Sequence, residues 1–463
     1  MNQNIQHWIK RLKESKKPAY LLVADLIEED ISNDRLRPRD QLPTLRDLSQ
    51  TLGINYTTVS RAYNEAKRRG LIDSQAGSGT YIKGKAPAIK LRDGSSVAMT
   101  MNMPPEPIAI AQRIKEDAAR LITNADLYEL LRYQDFGGTS EEREVAASWL
   151  RAYVPKCNAD QVLLCPGIHS VLLALMTHLA KPGETICVED LVYPGIKAIA
   201  AQINISLLSI PSDKDGPIVS AFEEACKTNR IKGFYCNPTI QNPSTLTITK
   251  HRREAIADIA MRYNVPIIED DAYGMLPTDR LDTIASIAPE ITWYISGFSK
   301  CFGAGLRIAL VAAPSQRQAQ RLAGSLRATS VMSSPVSNLL TTNWIKNGII
   351  DDMLKAIRLE SAARLKLASK TLDMWEFMSH PEGFHIWLPV PNTTGWRASE
   401  LAMHLRSNGI GVVASPAFCT DNNPPEAVRI CLGGPITRDE CEQSLKIIAD
   451  TLEYPHHMHL QIM

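Results

Sequence analysis

Apolar residues fall into two patterns along this chain, separated by a stretch with neither. Between positions 19 and 83 they recur at helical spacing in three runs. The first spans about 20–31. The second opens after Pro43, with Thr44 placed as N-cap and Asp47 at the third helical position, and stops at Gly53. The third spans 56–69 and ends at Gly70, with Val59, Ala62, Tyr63 and Ala66 forming one buried stripe. Tyr56, Thr57, Ser60, Arg61, Asn64 and Lys67 occupy its other face. Leu71-Ile72 and Thr80-Tyr81-Ile82 then predict two short strands around the turn Gly77-Ser78-Gly79.

Residues 84–106 keep no period and carry Gly84, Pro87, Gly94, Pro104 and Pro105, which predicts a linker. From Ile108 the second pattern begins. Apolar runs at 162–165, 185–188, 233–236, 266–268, 292–295 and 308–312 alternate with helical segments such as 170–180 and 250–263. That alternation predicts a mostly parallel sheet covered on both faces. Beyond about Asn338, long helices mix with strand candidates at 384–388, 411–414 and 428–431, a smaller α+β subdomain. The expected division is a head at 15–84, a linker at 85–107 and a body at 108–463, its small subdomain mainly 338–463.

Composition changes this picture in one respect. The formal net charge of the 463 residues is only +1. Residues 1–90, however, hold 16 Lys and Arg against 10 Asp and Glu, and the remainder 35 against 40. A basic head on a slightly acidic body suits a polyanion partner for the head alone. No run approaches the apolar length of a membrane span. Nine scattered cysteines without a CxxC pair fit reduced thiols in a cytoplasm and no metal site.

Two helices across a short turn, followed by a glycine-tipped hairpin, make a winged helix-turn-helix. The stretch from Leu42-Pro43-Thr44-Leu45-Arg46 through Thr57-Thr58-Val59 to Gly77-Ser78-Gly79-Thr80-Tyr81 resembles the GntR family of bacterial repressors. The resemblance implies that Arg46, Tyr56, Thr57, Thr58 and Ser60, with Arg61 beside them, face double-stranded operator DNA. It implies that Gly77 and Gly79 let the wing backbone approach the minor groove. Tyr56 stands where that family often has Arg, and Arg39 where Gly is usual.

In the body the residues supply each part of a pyridoxal 5'-phosphate (PLP) site, which needs an amine, an acid for the pyridine nitrogen, donors for the phenolate oxygen, a phosphate cup and a stacking ring. Lys300, in Ser296-Gly297-Phe298-Ser299-Lys300, follows an apolar strand and can form an imine. Ser299 and Arg307 offer a hydroxyl and a guanidinium fork to a phosphate. Asp270 ends the run Val265-Pro266-Ile267-Ile268 and suits the pyridine nitrogen, while its neighbour Asp271 suits a helix N-cap. Tyr273 and Asn242 can donate to the phenolate oxygen. Gly167, Ile168 and His169, between a strand and a helix, present free N–H groups to an anion. Tyr193, ahead of Pro194-Gly195, can stack on a ring.

This set resembles fold-type I, the aspartate-aminotransferase superfamily, from about residue 108 onward. The resemblance implies that Arg429 grips a substrate carboxylate and that Tyr133, ahead of Gly137-Gly138, serves a partner subunit's site. Gly297 replaces the hydroxyl residue usual three before the lysine, Cys165 replaces Ser or Thr, His169 stands where Gln is frequent, and Ser244-Thr245 follows Asn-Pro in place of Thr-Gly.

The whole chain, a winged helix-turn-helix joined to a fold-type I PLP-dependent aminotransferase-like α/β domain with a small α+β subdomain, resembles the MocR family of bacterial regulators. That resemblance implies a cytoplasmic homodimer, head-to-tail with exchanged heads, whose body senses an amine, an amino acid or PLP itself through aldimine chemistry at Lys300. The same residues would also serve a working aminotransferase of amino acids whose head tunes its own expression, and the sequence leaves both readings open.

Overall fold

The computed structural model describes residues 6–15, 17–33, 35–36, 40–69, 71–75, 79–82, 97–421 and 423–453. The chain divides into two compact units, residues 1–95 and 96–463.

The first unit holds helices α1 (Gln6–Glu14), α2 (Ala19–Ser32), α3 (Leu45–Leu52) and α4 (Tyr56–Arg68). Its strands β1 (Gln41–Leu42), β2 (Ile72–Gln75) and β3 (Gly79–Ile82) form one antiparallel sheet in the order β1-β3-β2. Thr44 caps α3 by accepting from the Asp47 N–H at 3.2 Å, as its spacing predicts. Gly53 ends α3 in the left-handed conformation at φ 64°. Val59, Ala62, Tyr63 and Ala66 are buried. Gly77, with Arg39, Gly70 and Ser78, lies outside the described residues.

The sequence pattern gave no warning of α1, and the head begins before residue 15. Helix α1 is mostly polar, yet Trp8 is fully buried in the head's core. Its Nε1 donates to Asp30 Oδ2 at 2.8 Å, and Asp30 is itself 1% exposed. Trp8→Ala should therefore cost the head about 3–5 kcal/mol, because it opens a large cavity and leaves a buried carboxylate short of a donor. Calorimetric unfolding would show a lower midpoint for the head. An unmoved midpoint would mean that α1 is no part of its core.

The second unit opens with β4 (Val97–Ala98), followed by α5 (Ile108–Asn124), α6 (Leu127–Leu131) and α7 (Ser140–Leu150). Strands β5 (Val162–Cys165), β6 (Thr185–Glu189) and β7 (Ser206–Ile210) alternate with α8 (Ile168–Leu179) and α9 (Pro194–Gln202). After the small hairpin β8 (Ser212–Asp213) and β9 (Gly216–Pro217) come β10 (Ile231–Cys236), β11 (Ile267–Asp270), β12 (Thr292–Gly297) and β13 (Ala309–Ala312). The seven-stranded sheet runs β5-β13-β12-β11-β10-β6-β7. Only β13 runs antiparallel to its neighbours. Every residue of β5 and β13 is buried, which is why these strands read as continuous apolar runs. Strand β7 escaped the sequence reading because its Ser-Leu-Leu-Ser-Ile is only partly covered at the sheet edge.

The small subdomain carries β14 (Met378–Ser379), β15 (His385–Pro389), β17 (Val413–Ala414) and β18 (Ala427–Cys431) in one sheet ordered β14-β15-β18-β17. Strand β16 (Ile410–Gly411) pairs with β4. That pairing corrects the linker boundary. Residues 97–107 belong to the body, because β4 adds to an edge there, Met99 is fully buried and Gly434 N donates to Pro104 O. Strand propensity over two residues is too little signal to show this.

Candidate functional site

On the head, Arg46, Tyr56 and Thr57 are exposed, and Thr58 and Ser60 are partly so. Arg46 lies on the first turn of α3, and the other four lie at the start of α4, the second helix of the pair, which such motifs place in the major groove. Arg61 is exposed too, but its guanidinium carbon sits 4.3 Å from the centre of the Tyr20 ring. Arg69 donates to Asp25 and Glu65 at 2.8 and 2.9 Å, tying α4 to α2.

In the body, most of the predicted site residues lie at or beyond the C-terminal ends of β5, β6, β10, β11 and β12, strands that run the same way. Ligands of open α/β sheets bind at this end. Asp270 is 4% exposed at the end of β11. Its Oδ2 accepts from Tyr235 OH at 2.8 Å, and its Oδ1 has no partner. Burial pushes its carboxyl up to about 7, against the pull of the Tyr235 hydroxyl. An orphaned, buried carboxylate oxygen held at a fixed angle fits a protonated ring nitrogen.

The two acids beside it do different work. Glu269 accepts from the N–H groups of Ile284 and Ala285, both at 2.8 Å, and so caps the helix Ile284–Ile287. Asp271, expected as an N-cap, precedes a turn and accepts from Tyr294 OH at 2.9 Å. The capping acid of the triplet is therefore Glu269.

Lys300 lies just past β12, its Nζ 5.6 Å from the centre of the Tyr273 ring and bonded to the Asn102 carbonyl. Burial first, and the nearby Arg429 cation second, lower its ammonium to about 8. About a quarter of the amine is then neutral at pH 7.5, against roughly one part in a thousand for an ordinary lysine. The rate at which the protein takes up added PLP should rise with pH through about 8. Removing a like charge raises a lysine's pKa, so Arg429→Ala should move that midpoint upward. Rapid-mixing absorbance against pH reads it, and an unmoved midpoint would mean that Arg429 does not act on Lys300.

Gly167 takes φ 88° as the N-cap of α8. A side-chain carbon there would meet Arg307 Nη2 at 2.8 Å, so glycine lets the guanidinium lie against the start of the helix. Arg307 itself has a left-handed backbone at φ 52°, uncommon for any residue with a side chain. A fixed cation beside the free N–H groups of Ile168 and His169 forms a cup for an anion. The same cation, after burial, lowers the pKa of His169. Gly297 also finds its reason here: a side-chain carbon would strike Ile168 Cδ1 at 2.8 Å. The helix residue fills the space that a hydroxyl would need. Ser299 is partly buried on the turn before Lys300. Tyr193 lies half-buried with its ring over Gly195, and burial and then Asp270 raise its phenol.

Arg429 is 6% exposed on β18. Its Nη1 donates to Asn242 Oδ1 at 2.6 Å and its Nη2 to Thr100 O, while Nε has no partner. Tyr133 is 80% exposed. Sequence reasoning missed the residues that hold the site in place. Glu189 accepts from Asn237 N at 2.8 Å and Gln241 Nε2 at 3.0 Å, and Asn237 Oδ1 accepts from Asn242 N at 2.9 Å. Asn102 Nδ2 donates to Tyr273 OH at 2.8 Å and lies 3.0 Å from His385 Nδ1. Asn237-Pro238 just after a buried strand was a usable signal. Asn102, in a stretch without period, offered none.

Residues 97–448 match the family Aminotransferase class I and II, and residues 19–82 match bacterial regulatory proteins of the gntR family. The uncharacterized HTH-type transcriptional regulator YdeF of Bacillus subtilis is 29% identical over 453 residues, 96% of this chain and 97% of its own. The chain belongs to the MocR family of regulators. The vitamin B6 salvage pathway transcriptional repressor PtsJ of Salmonella typhimurium is 26% identical, covering 82% of this chain and 87% of its own length. The MocR body has the fold of LysN, the α-aminoadipate aminotransferase of Thermus thermophilus solved with N-(5'-phosphopyridoxyl)-L-leucine, at a TM-score of 0.71 and 20% identity over 80% of this chain and 94% of that one. No helix among the described residues is long and apolar enough to cross a membrane.

Proposed function

We propose that this MocR-type regulator holds PLP through Lys300 and senses an amine, an amino acid or PLP itself there, changing its affinity for operator DNA. The observation that carries the reading is the unpartnered, buried Asp270 Oδ1 beside an amine whose pKa burial lowers to about 8. PLP, when bound, supplies an aldehyde that condenses with amines and a ring that withdraws electrons. Asp270, fixed by Tyr235, would hold the ring nitrogen. Tyr273 and Asn242 would face the phenolate oxygen, and Tyr193 the ring. The N–H groups after Gly167, with Ser299 and Arg307, would hold the phosphate. Arg429, a buried guanidinium with only neutral acceptors, suits an effector carboxylate.

Binding energy at the body changes DNA affinity only if the effector prefers one arrangement of the protein over another. A homodimer in the cytoplasm is the expected setting. Leu127, Tyr128, Leu131 and Tyr133 are 60–80% exposed, an apolar face that a second copy would cover. The test is DNA retardation by the PLP-loaded protein across a panel of amines and amino acids. An effector that shifts both the absorbance and the DNA affinity supports the reading, and a panel that shifts the absorbance alone contradicts it. A lysine already part-neutral also suits a working aminotransferase. Sustained keto-acid production from amino-acid panels would favour that enzyme, whereas a spectral change that stops at one equivalent favours the sensor.

A further inference from the structure

The stretch from residue 97 to residue 105 runs as a strap across the candidate site. Its N-terminal end is fixed by β4 on β16 and by Cys431 N donating to Met99 O at 3.0 Å. Its C-terminal end is fixed by Gly434 N donating to Pro104 O at 3.0 Å and by the bridge between Pro105 and Gly434. Between these anchors the backbone bonds two cations of the site. Thr100 O accepts from Arg429 Nη2, and Asn102 O accepts from Lys300 Nζ. The Asn102 side chain, 6% exposed, adds the bond to Tyr273 OH and the approach to His385. Burial first, with Arg429, lowers the pKa of His385 to about 3, so the ring is neutral. Its Nε2 lies 3.3 Å from Gln241 O, which makes Nε2 the donor and leaves Nδ1 to accept from Asn102.

We infer that this strap is a built-in competitor for the effector, displaced from Arg429 by a ligand that carries a carboxylate. The inference rests on the reading of Lys300 given above. Arg429 has no carboxylate within ion-pair distance among the described residues, so its buried charge meets only neutral oxygens. A ligand carboxylate forms stronger, charge-assisted bonds and takes the place of Thr100 O. A ligand without a carboxylate leaves Thr100 O on Arg429, while one with a carboxylate replaces it.

A matched pair of probes tests this on the full-length, PLP-loaded protein. Aminooxyacetate and O-methylhydroxylamine share a nucleophilic nitrogen, and only the first has a carboxylate. Each replaces the carbon–nitrogen double bond to Lys300 with one to itself and releases the lysine as a free amine, with no oxidation or reduction. Hydrogen exchange read by mass spectrometry should then separate them. With aminooxyacetate, the amides of 99–103 and of Cys431 lose protection at least tenfold. With O-methylhydroxylamine they keep it. Equal protection with both probes, although both bleach the yellow absorbance, would overturn the strap and leave the Lys300 reading intact. A protein with no such absorbance to bleach would overturn the Lys300 reading and the strap with it. Asn102→Ala provides the second arm. A weakened strap should raise the rate of bleaching by aminooxyacetate about fivefold, the equivalent of one neutral hydrogen bond. A slower reaction would make Asn102 a ligand contact and contradict the competitor.

Discussion

Lys300→Ala should abolish the yellow absorbance of the PLP-loaded protein and its sensitivity to borohydride. The argument runs from position to chemistry. Strand β12 is buried along its whole length and delivers Lys300 to the same end of the sheet as Asp270 and Arg307. Burial and Arg429 keep a useful fraction of its amine neutral. Alanine removes the nitrogen that borohydride would trap and leaves the Asp270 and Gly167 ends of the site untouched. PLP affinity should therefore fall by less than the absorbance does, because the ring and phosphate contacts remain. A variant that stays yellow and is still reduced by borohydride would place the covalent bond elsewhere.

DNA binding by the intact protein should collapse with salt. Contacts from basic side chains release condensed counterions, so the logarithm of affinity falls linearly with that of salt concentration. If two heads together neutralise about six phosphates, affinity drops about a thousandfold between 50 and 200 mM salt. Arg46, exposed on the first turn of α3, should contribute one such contact. Arg46→Ala removes that contact from both heads, so it should weaken all sequences alike and reduce the slope by about two. Arg61 is a weaker candidate than the sequence suggested, since its guanidinium already stacks on Tyr20. Electrophoretic retardation of fragments from the protein's own promoter region reads both effects. A fragment that never shifts at low salt would contradict the head's role.

How much of this could be read from the sequence depended on how local the signal was. Helices α3 and α4 announced themselves through caps and a clean apolar stripe, and Thr44 caps as its spacing required. The central strands were legible because burial on both faces leaves them apolar throughout. The placement of Lys300, Asp270 and Gly167 was legible because each lies at or just past the end of such a strand, and that of Arg307 because it lies just before one. What stayed hidden is long-range. Trp8 is buried only because α2 lies against α1, and nothing in Gln6–Glu14 states that. Strap residues 97–105 have no period, and their order comes from pairing with β16 and the end of β18, more than 300 residues away. Asp271 shows the limit of local reasoning at a site. An acid at a strand end looks like a cap, yet the capping fell to Glu269, whose side chain reaches the start of a helix fifteen residues on.

The central claim joins Lys300 to the DNA reader, and one comparison tests it most directly. Operator affinity is measured by retardation for wild type and Lys300→Ala, each with PLP, before and after adding an amine or amino acid that shifts the wild-type absorbance. The account predicts that the wild-type affinity changes and the variant's does not. A variant that responds to the effector as the wild type does would show that the signal bypasses Lys300.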